Sequence, residues 1–244
     1  AGRTARGTAI VNVLPLEAGE SVTAMVITRE FDENEYLMMC TRNGTVKRIP
    51  FIALKTNRKG GIRAITLDEG DQLINVIRTG GNDNVILATA QGMAICFNEN
   101  DVRPMGRDAA GVRGILLSDD DYVIGAEKAE EGKTLLTVTQ KGYGKRTSVE
   151  EYSIHGRGGL GLKNYNVTDK TGKIADVKVV ADDDDIMLIT NEGTIIRTNV
   201  SSVNVYSRTA SGVILMRLDE GCIINNVARL DRQEEIDAES AENT

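Results

Sequence analysis

An arginine stands four residues before a glycine at four places in this chain: Arg3 before Gly7, Arg107 before Gly111, Arg157 before Gly161 and Arg208 before Gly212. A fifth copy puts Asn57 in that place before Gly61, with Arg58 and Lys59 following it. More cations gather around the same glycines. Arg6 belongs to the first copy, and Arg63, Arg113 and Lys163 come two residues after their glycines, while Ala9 and Ile214 break that series. A second group, Arg48, Arg146 and Arg197, follows another recurring glycine, with Lys47 and Lys145 beside two of its members. Guanidinium groups and the backbone N–H groups of glycine turns both bind phosphate oxygens without reading bases. The chemistry on offer is therefore recognition of a polyanion.

Catalysis is close to excluded by what is missing. His155 is the only histidine, sits in a Gly-rich loop and has no repeat counterpart. No Cys-x-x-Cys pair exists, and a zinc site or a Ser-His-Asp arrangement would need more than this lone loop histidine. The acidic runs Asp119–Asp121 and Asp182–Asp185 lack the alternating oxygen ligands and distal Glu of a calcium loop and fall where turns are expected. Arg157-Gly158-Gly159-Leu160-Gly161 superficially suggests a phosphate cradle, but no helix follows it, so a mononucleotide site is not expected. No metal or cofactor is expected on this chain.

The elements that must position the cations are set by repetition. The glycines Gly7, Gly61, Gly111, Gly161 and Gly212 are 54, 50, 50 and 51 residues apart. A second marker keeps nearly the same step: Thr41-Arg42-Asn43-Gly44, Thr89-Ala90-Gln91-Gly92, Thr139-Gln140-Lys141-Gly142 and Thr190-Asn191-Glu192-Gly193, each between apolar runs. Asn-Gly is the strongest two-residue hairpin signal, because both central residues of a type I′ turn take positive φ. A fixed period near 50 marks a propeller-like or solenoid array. Each unit reads as four strands. In the second unit these are Ile62–Leu67, Leu73–Ile77, Val85–Thr89 and Met93–Phe97; the first two have counterparts at Thr8–Leu14 with Val22–Ile27, Val112–Leu117 with Tyr122–Ala126, Leu162–Val167 with Ile174–Val179, and Val213–Leu218 with Ile223–Val227. No stretch keeps a helical period, so the expectation is an all-β, propeller-like disc of about five to six four-stranded blades. Five basic loops but four hairpins mean that the two end halves complete one blade or that the chain is a fragment of a longer array, and the fragment is favoured. Residues 1–230 would form the β domain and 231–244 a disordered acidic tail.

Composition fits. Gly is abundant at 25 residues, Trp is absent, and 41% of residues are hydrophobic. No apolar run is long enough to span a membrane, and no signal peptide is visible. Cys40, Cys96 and Cys222 are scattered and odd in number, which suggests reduced thiols and a cytosolic setting. The net charge of −7 argues at first against nucleic acid. However, the last 14 residues carry six acids and one base, a net −5, leaving −2 for the rest. A near-neutral body can still carry a basic rim.

In a blade array each repeat position maps to one ring, so recurring cations become a belt. The competing reading is that strand-edge cations only guard against edge pairing. The belt suits a duplex better than a single strand, because stacking aromatics are scarce. With two or three cations per loop, about ten phosphates would be neutralised, giving a salt slope of about −0.9 per contact. Such contacts can offset the roughly 1–6 kcal/mol needed to bend 20–30 base pairs.

Several stretches are recognisable together: Gly2-Arg3-Thr4-Ala5-Arg6-Gly7 followed by Ile10-Val11-Asn12-Val13-Leu14-Pro15-Leu16, then Val112-Arg113-Gly114-Ile115, Lys141-Gly142-Tyr143-Gly144-Lys145-Arg146-Thr147 and Gly212-Val213-Ile214-Leu215-Met216-Arg217. Over residues 1 to about 230 the chain resembles the C-terminal domain of the bacterial DNA gyrase A subunit. The resemblance implies a six-bladed β-pinwheel, whose blades borrow a strand from a neighbour and which wraps duplex DNA around its basic perimeter to support negative supercoiling. It implies partners in the B subunit of an A2B2 holoenzyme, together with the rest of the A subunit, in the bacterial cytoplasm at the nucleoid. It also implies no enzymatic activity for this stretch alone, the catalytic tyrosine and the ATP- and Mg-using parts lying elsewhere. The family's heptapeptide box, of the type Gln-Arg-Arg-Gly-Gly-Arg/Lys-Gly, is absent; Arg157–Gly161 is its nearest echo, in a later blade. The resemblance places that box in a first repeat that this chain lacks, so weaker binding and bending than by the intact domain is expected. The alternatives are the C-terminal domain of the topoisomerase IV A subunit, which wraps poorly, and a protein-binding propeller scaffold.

Overall fold

The computed structural model describes residues 12–14, 16, 19–28, 30–58 and 60–230. The array is all β, as expected, but these residues form four blades rather than five or six. The Thr-x-x-Gly turns each produce a hairpin: β1 (Tyr36–Thr41) with β2 (Thr45–Pro50), β4 (Asn84–Thr89) with β5 (Met93–Asn98), β8 (Thr134–Thr139) with β9 (Tyr143–Ser148), and β12 (Asp185–Thr190) with β13 (Ile195–Asn199). The threonine closes the turn twice over. Its hydroxyl accepts from the residue after the glycine, as Thr89 does from Met93 N at 3.1 Å, and its carbonyl accepts the glycine N–H.

The remaining strands are shared out across repeats. β3 (Leu73–Thr79), β7 (Val123–Ala129), β11 (Ile174–Val180) and β15 (Ile224–Leu230) each pair with the hairpin of the preceding unit. The two-residue strands β6 (Val112–Arg113), β10 (Leu162–Lys163) and β14 (Val213–Ile214) pair with the hairpin two units back. Three sheets therefore read β3-β1-β2-β6, β7-β4-β5-β10 and β11-β8-β9-β14; the fourth is β15-β12-β13. One repeat is not one blade, and each complete blade draws on three successive repeats.

β3, β7, β11 and β15 pack against one another in series and so mark the axial side. β6, β10 and β14 lie at the opposite, outer edge. The expected strands at 112–117, 162–167 and 213–218 shrink to two residues for a physical reason. After two ladder positions the chain bends over the hairpin turn: Asn164 and Tyr165 both donate to the Gly92 carbonyl, and Tyr165 is fully buried. Ile115 and Met216 plug the same place over Gly44 and Gly142. Gly92 has φ +89, and a Cβ there would lie 2.6 Å from Tyr165 O. The glycine is needed both for the turn and for the close approach. Ile62–Leu67 and Val22–Ile27 form no strand, and residues 8–11 lie outside the described set.

Apolar cores fill the gaps between neighbouring sheets. One gathers Val85, Leu87, Ile95 and Phe97 with Met38, Val46 and Ile115; the next packs Ile86 and Ala88 against Leu135, Tyr165 and Val177. Both faces of the hairpin strands are thus covered. The fourth sheet lacks an outer strand among the described residues; Gly193 has open space around it, and Ile195 and Ile196 are exposed.

Candidate nucleic-acid interface

Each outer-edge segment is built the same way. Pro104, Ile154 and Val205 bridge to the middle of β2, β5 and β9; a basic loop follows, and then the short outer strand. The anchor glycine lets the loop lie against the hairpin backbone. At Gly161, with φ +74, a Cβ would fall 2.3 Å from Ala94 O. Gly111, Gly161 and Gly212 thus mark contact between repeats, whereas Gly61 stands in open space.

Arg107, Arg113 and Lys163 are exposed along this edge, as are Arg58 and Arg63 in the preceding loop. Arg113 and Lys163 hold equivalent positions, the second residue of β6 and β10. Arg157 and Arg208 are half-buried and tie one loop to the next. Arg157 Nη1 donates to the Arg113 carbonyl at 2.9 Å, and Arg208 Nη1 to the Lys163 carbonyl at 3.0 Å. A guanidinium has five N–H donors, so both keep donors to spare. Consecutive outer loops are linked by the arginines themselves into one continuous edge. Arg103 is also exposed just before this edge; its counterparts Ser153 and Asn204 carry no charge, so repetition could not single it out.

Four further cations behave differently from the expected belt. Arg48 is buried and pairs with Glu99 at 3.0 Å, its guanidinium 3.8 Å above the Tyr36 ring. Glu99, also buried, accepts from Thr79 Oγ1, Gly81 N and Asp83 N. Arg146 is buried between the Val203 carbonyl and Asp182. Lys145 is buried, with Nζ 2.6 Å from Ser207 O. These three are corrections to the sequence expectation: β2 and β9 are covered on both faces, so their side chains cannot face solvent. Arg197 is exposed but joined to Asp185, with Nε–Oδ2 2.7 Å. Arg3, Arg6 and Lys59 lie outside the described residues.

The other motifs are structural. Asp121 Oδ1 caps Gln91 N and Asp184 Oδ2 caps Ala181 N, so the acidic runs serve turns. No group of His, Cys, Asp and Glu able to hold a metal occurs among the described residues. His155 is exposed. Cys40 and Cys96 are buried free thiols, and burial pushes Cys96 up to about 11; Cys222 is half-buried. No helix among the described residues is long and apolar enough to cross a membrane.

Sheets arranged about a common axis, each completed at its outer edge by a strand from another repeat, define a β-propeller-like protein with a cationic edge. The chain belongs to the DNA gyrase C-terminal domain, beta-propeller, family, whose profile matches residues 1–29, 35–79, 83–130, 133–181 and 184–221. It is 44% identical over 241 residues to the DNA gyrase A subunit of Salmonella typhimurium, spanning 98% of this chain and 27% of that protein. It is 42% identical over 232 residues to the DNA gyrase A subunit of Escherichia coli, spanning 95% and 26%. The chain thus spans about a quarter of these relatives' length. Among solved structures, the C-terminal domain of DNA topoisomerase IV superposes with a TM-score of 0.88 at 26% identity, covering 97% of this chain and 75% of that one. The DNA gyrase A C-terminal domain gives 0.84 at 25%, covering 93% and 76%.

Proposed function

We propose that this chain binds duplex DNA along the outer edge of its sheets and bends it without reading sequence. In this reading it serves the negative supercoiling of a gyrase holoenzyme in the bacterial cytoplasm. There it forms part of the A subunit, partnered by the B subunit. The chemistry of strand passage, and the ATP and Mg it uses, belong to parts of that assembly outside this chain. The single observation that carries the proposal is the linked outer edge, where Arg107, Arg113 and Lys163 are exposed on segments joined through Arg157 and Arg208.

Counting Arg58, Arg63, Arg107, Arg113 and Lys163 with the spare donors of Arg157 and Arg208 gives about seven phosphate contacts and a salt slope near −6. The count covers the described residues only; Arg3, Arg6 and Lys59 lie outside them. A second reading has a specific observation behind it: the fit to the topoisomerase IV domain supports a binder that wraps weakly. Titration of duplex at several salt concentrations tests binding. Ligation of a nicked circle in the presence of the protein tests wrapping. A shifted linking number is expected for the gyrase-like reading. Binding with no shift favours the weak wrapper, and absence of salt-dependent binding leaves only a protein scaffold.

A further inference from the structure

We propose that Lys47 and Lys145 are positioning residues: buried ammonium groups that clamp the carbonyls of two outer loops and so fix where those loops hold Arg107 and Arg208. The proposal rests on the DNA-binding reading above for its consequence, though not for its geometry. Lys47 Nζ donates to Arg107 O and Ala109 O, both at 2.7 Å. Lys145 Nζ donates to Ser207 O and Arg208 O. Both side chains are fully buried. Each therefore grips the backbone of the loop that carries the arginine four before the anchor glycine.

The repeat supplies an internal control. Ile95 takes the equivalent place in β5, and it too is buried. The blade therefore packs without an amine at this position, and a buried lysine is costly unless its donors are used. The loop above Ile95 is tied in another way, by its own arginine. Arg157 spends Nε on Asp101 O and Nη1 on Arg113 O, both at 2.9 Å. Arg107, whose loop is held by Lys47, makes no such bonds to the described residues and is exposed. The Lys47 clamp leaves Arg107 free of that duty, whereas Arg208, whose loop Lys145 holds, still donates to the Lys163 carbonyl at 3.0 Å. Around Lys145 lie Glu151, Arg208 and the Tyr165 ring, 5.4 Å away; Asp108 faces Lys47. Burial pulls Lys145 down to about 8, opposed by Glu151, and lowers Lys47 against Asp108.

Lys145→Met and Lys47→Met keep the length and apolar stem while removing the donors. Amide exchange in the free protein reads the clamp without DNA. The expected result is about tenfold faster exchange in loop 207–212 or 107–111 respectively, the loss of two hydrogen bonds, with loop 157–161 unchanged. Duplex affinity should then fall several-fold while the salt slope stays as in the parent, because no phosphate contact has been removed. A direct contact such as Arg113→Ala should instead reduce the slope by about 0.9. Unchanged loop exchange overturns the proposal, as does loosened exchange with unchanged affinity. Failure of both variants to fold also overturns it, because the lysines would then hold the blade itself. If the parent binds no duplex, the function reading fails on its own, and the exchange arm still decides the clamp.

Discussion

The outer edge and the spaces between blades hold cations of the same kinds under opposite rules. At the edge, Arg107, Arg113 and Lys163 are exposed, and the carbonyls of the last two are used by neighbouring arginines. Between blades, Arg48 is neutralised by Glu99, while Lys178 on the axial strand β11 lies between Asp176 and Glu127, at 3.1 and 3.4 Å. The edge spends its charge on whatever approaches; the interior spends it on the fold. A cation's repeat position therefore says which ring it occupies, and its partner says which purpose it serves.

The sharpest way to break this division is at Glu99. Removing one partner of a buried pair leaves the other uncompensated, at a cost of about 3–5 kcal/mol. Glu99→Ala should lower Tm by about 10 °C, at roughly 2–4 °C per kcal/mol for a chain of this size. Duplex affinity of the folded fraction should not rise, although an acid has been lost. A clear rise would mean that Arg48 can reach DNA after all. Thermal melts beside duplex titration check both halves.

The opposite manipulation is the double variant Arg113→Ala with Lys163→Ala. Stability should stay within about 0.5 kcal/mol, as for exposed sites, the bond lost being the surface one from Lys163 Nζ to Asn166 Oδ1 at 3.0 Å. Affinity should fall by about tenfold, and the salt slope should become shallower by about 1.8. A loss of affinity with an unchanged slope would remove these two residues from the phosphate-facing edge.

Much of this was legible beforehand, and the limits are physical. The hairpins could be read because Thr-x-x-Gly between apolar runs specifies a local turn, and local hydrogen bonds satisfy it. The sharing of strands could not be read from the repeat, because a period fixes equivalence but not which neighbour a strand joins; only the family resemblance implied it. Val112–Leu117 looked like a whole strand because Ile115, the plug over Gly44, continues the apolar run. The exposed edge residues were found through repetition. Arg48, Lys145 and Arg146 misled because β2 and β9 are covered on both faces, so alternation carries no information there. One signal was present: Glu99 stands where the later repeats have Val149 and Val200, an acid in an apolar column.

The axial cluster offers the finest test, since its charges never meet a ligand in this scheme. Burial raises Asp176 and Glu127 above the ordinary carboxylate range, opposed by Lys178. Burial also pulls Lys178 down, yet the two acids together hold it above its usual value. An acid raised on folding binds its proton more tightly in the folded state. Its contribution to stability is complete below the unfolded carboxylate pKa and is lost as pH rises through the folded one. Glu127→Gln, which has no proton to lose, should therefore gain on the parent as pH climbs from the unfolded carboxylate value of about 4 into the raised range of the folded state. The two melting curves should converge or cross over that interval, with duplex affinity alike for both. The change should be small, because Lys178 keeps Asp176 as its closer partner. A parent that gains on the variant with rising pH would show that Glu127 is held as a stabilised carboxylate, placing the axial ring under the same electrostatic rule as the Arg48–Glu99 pair.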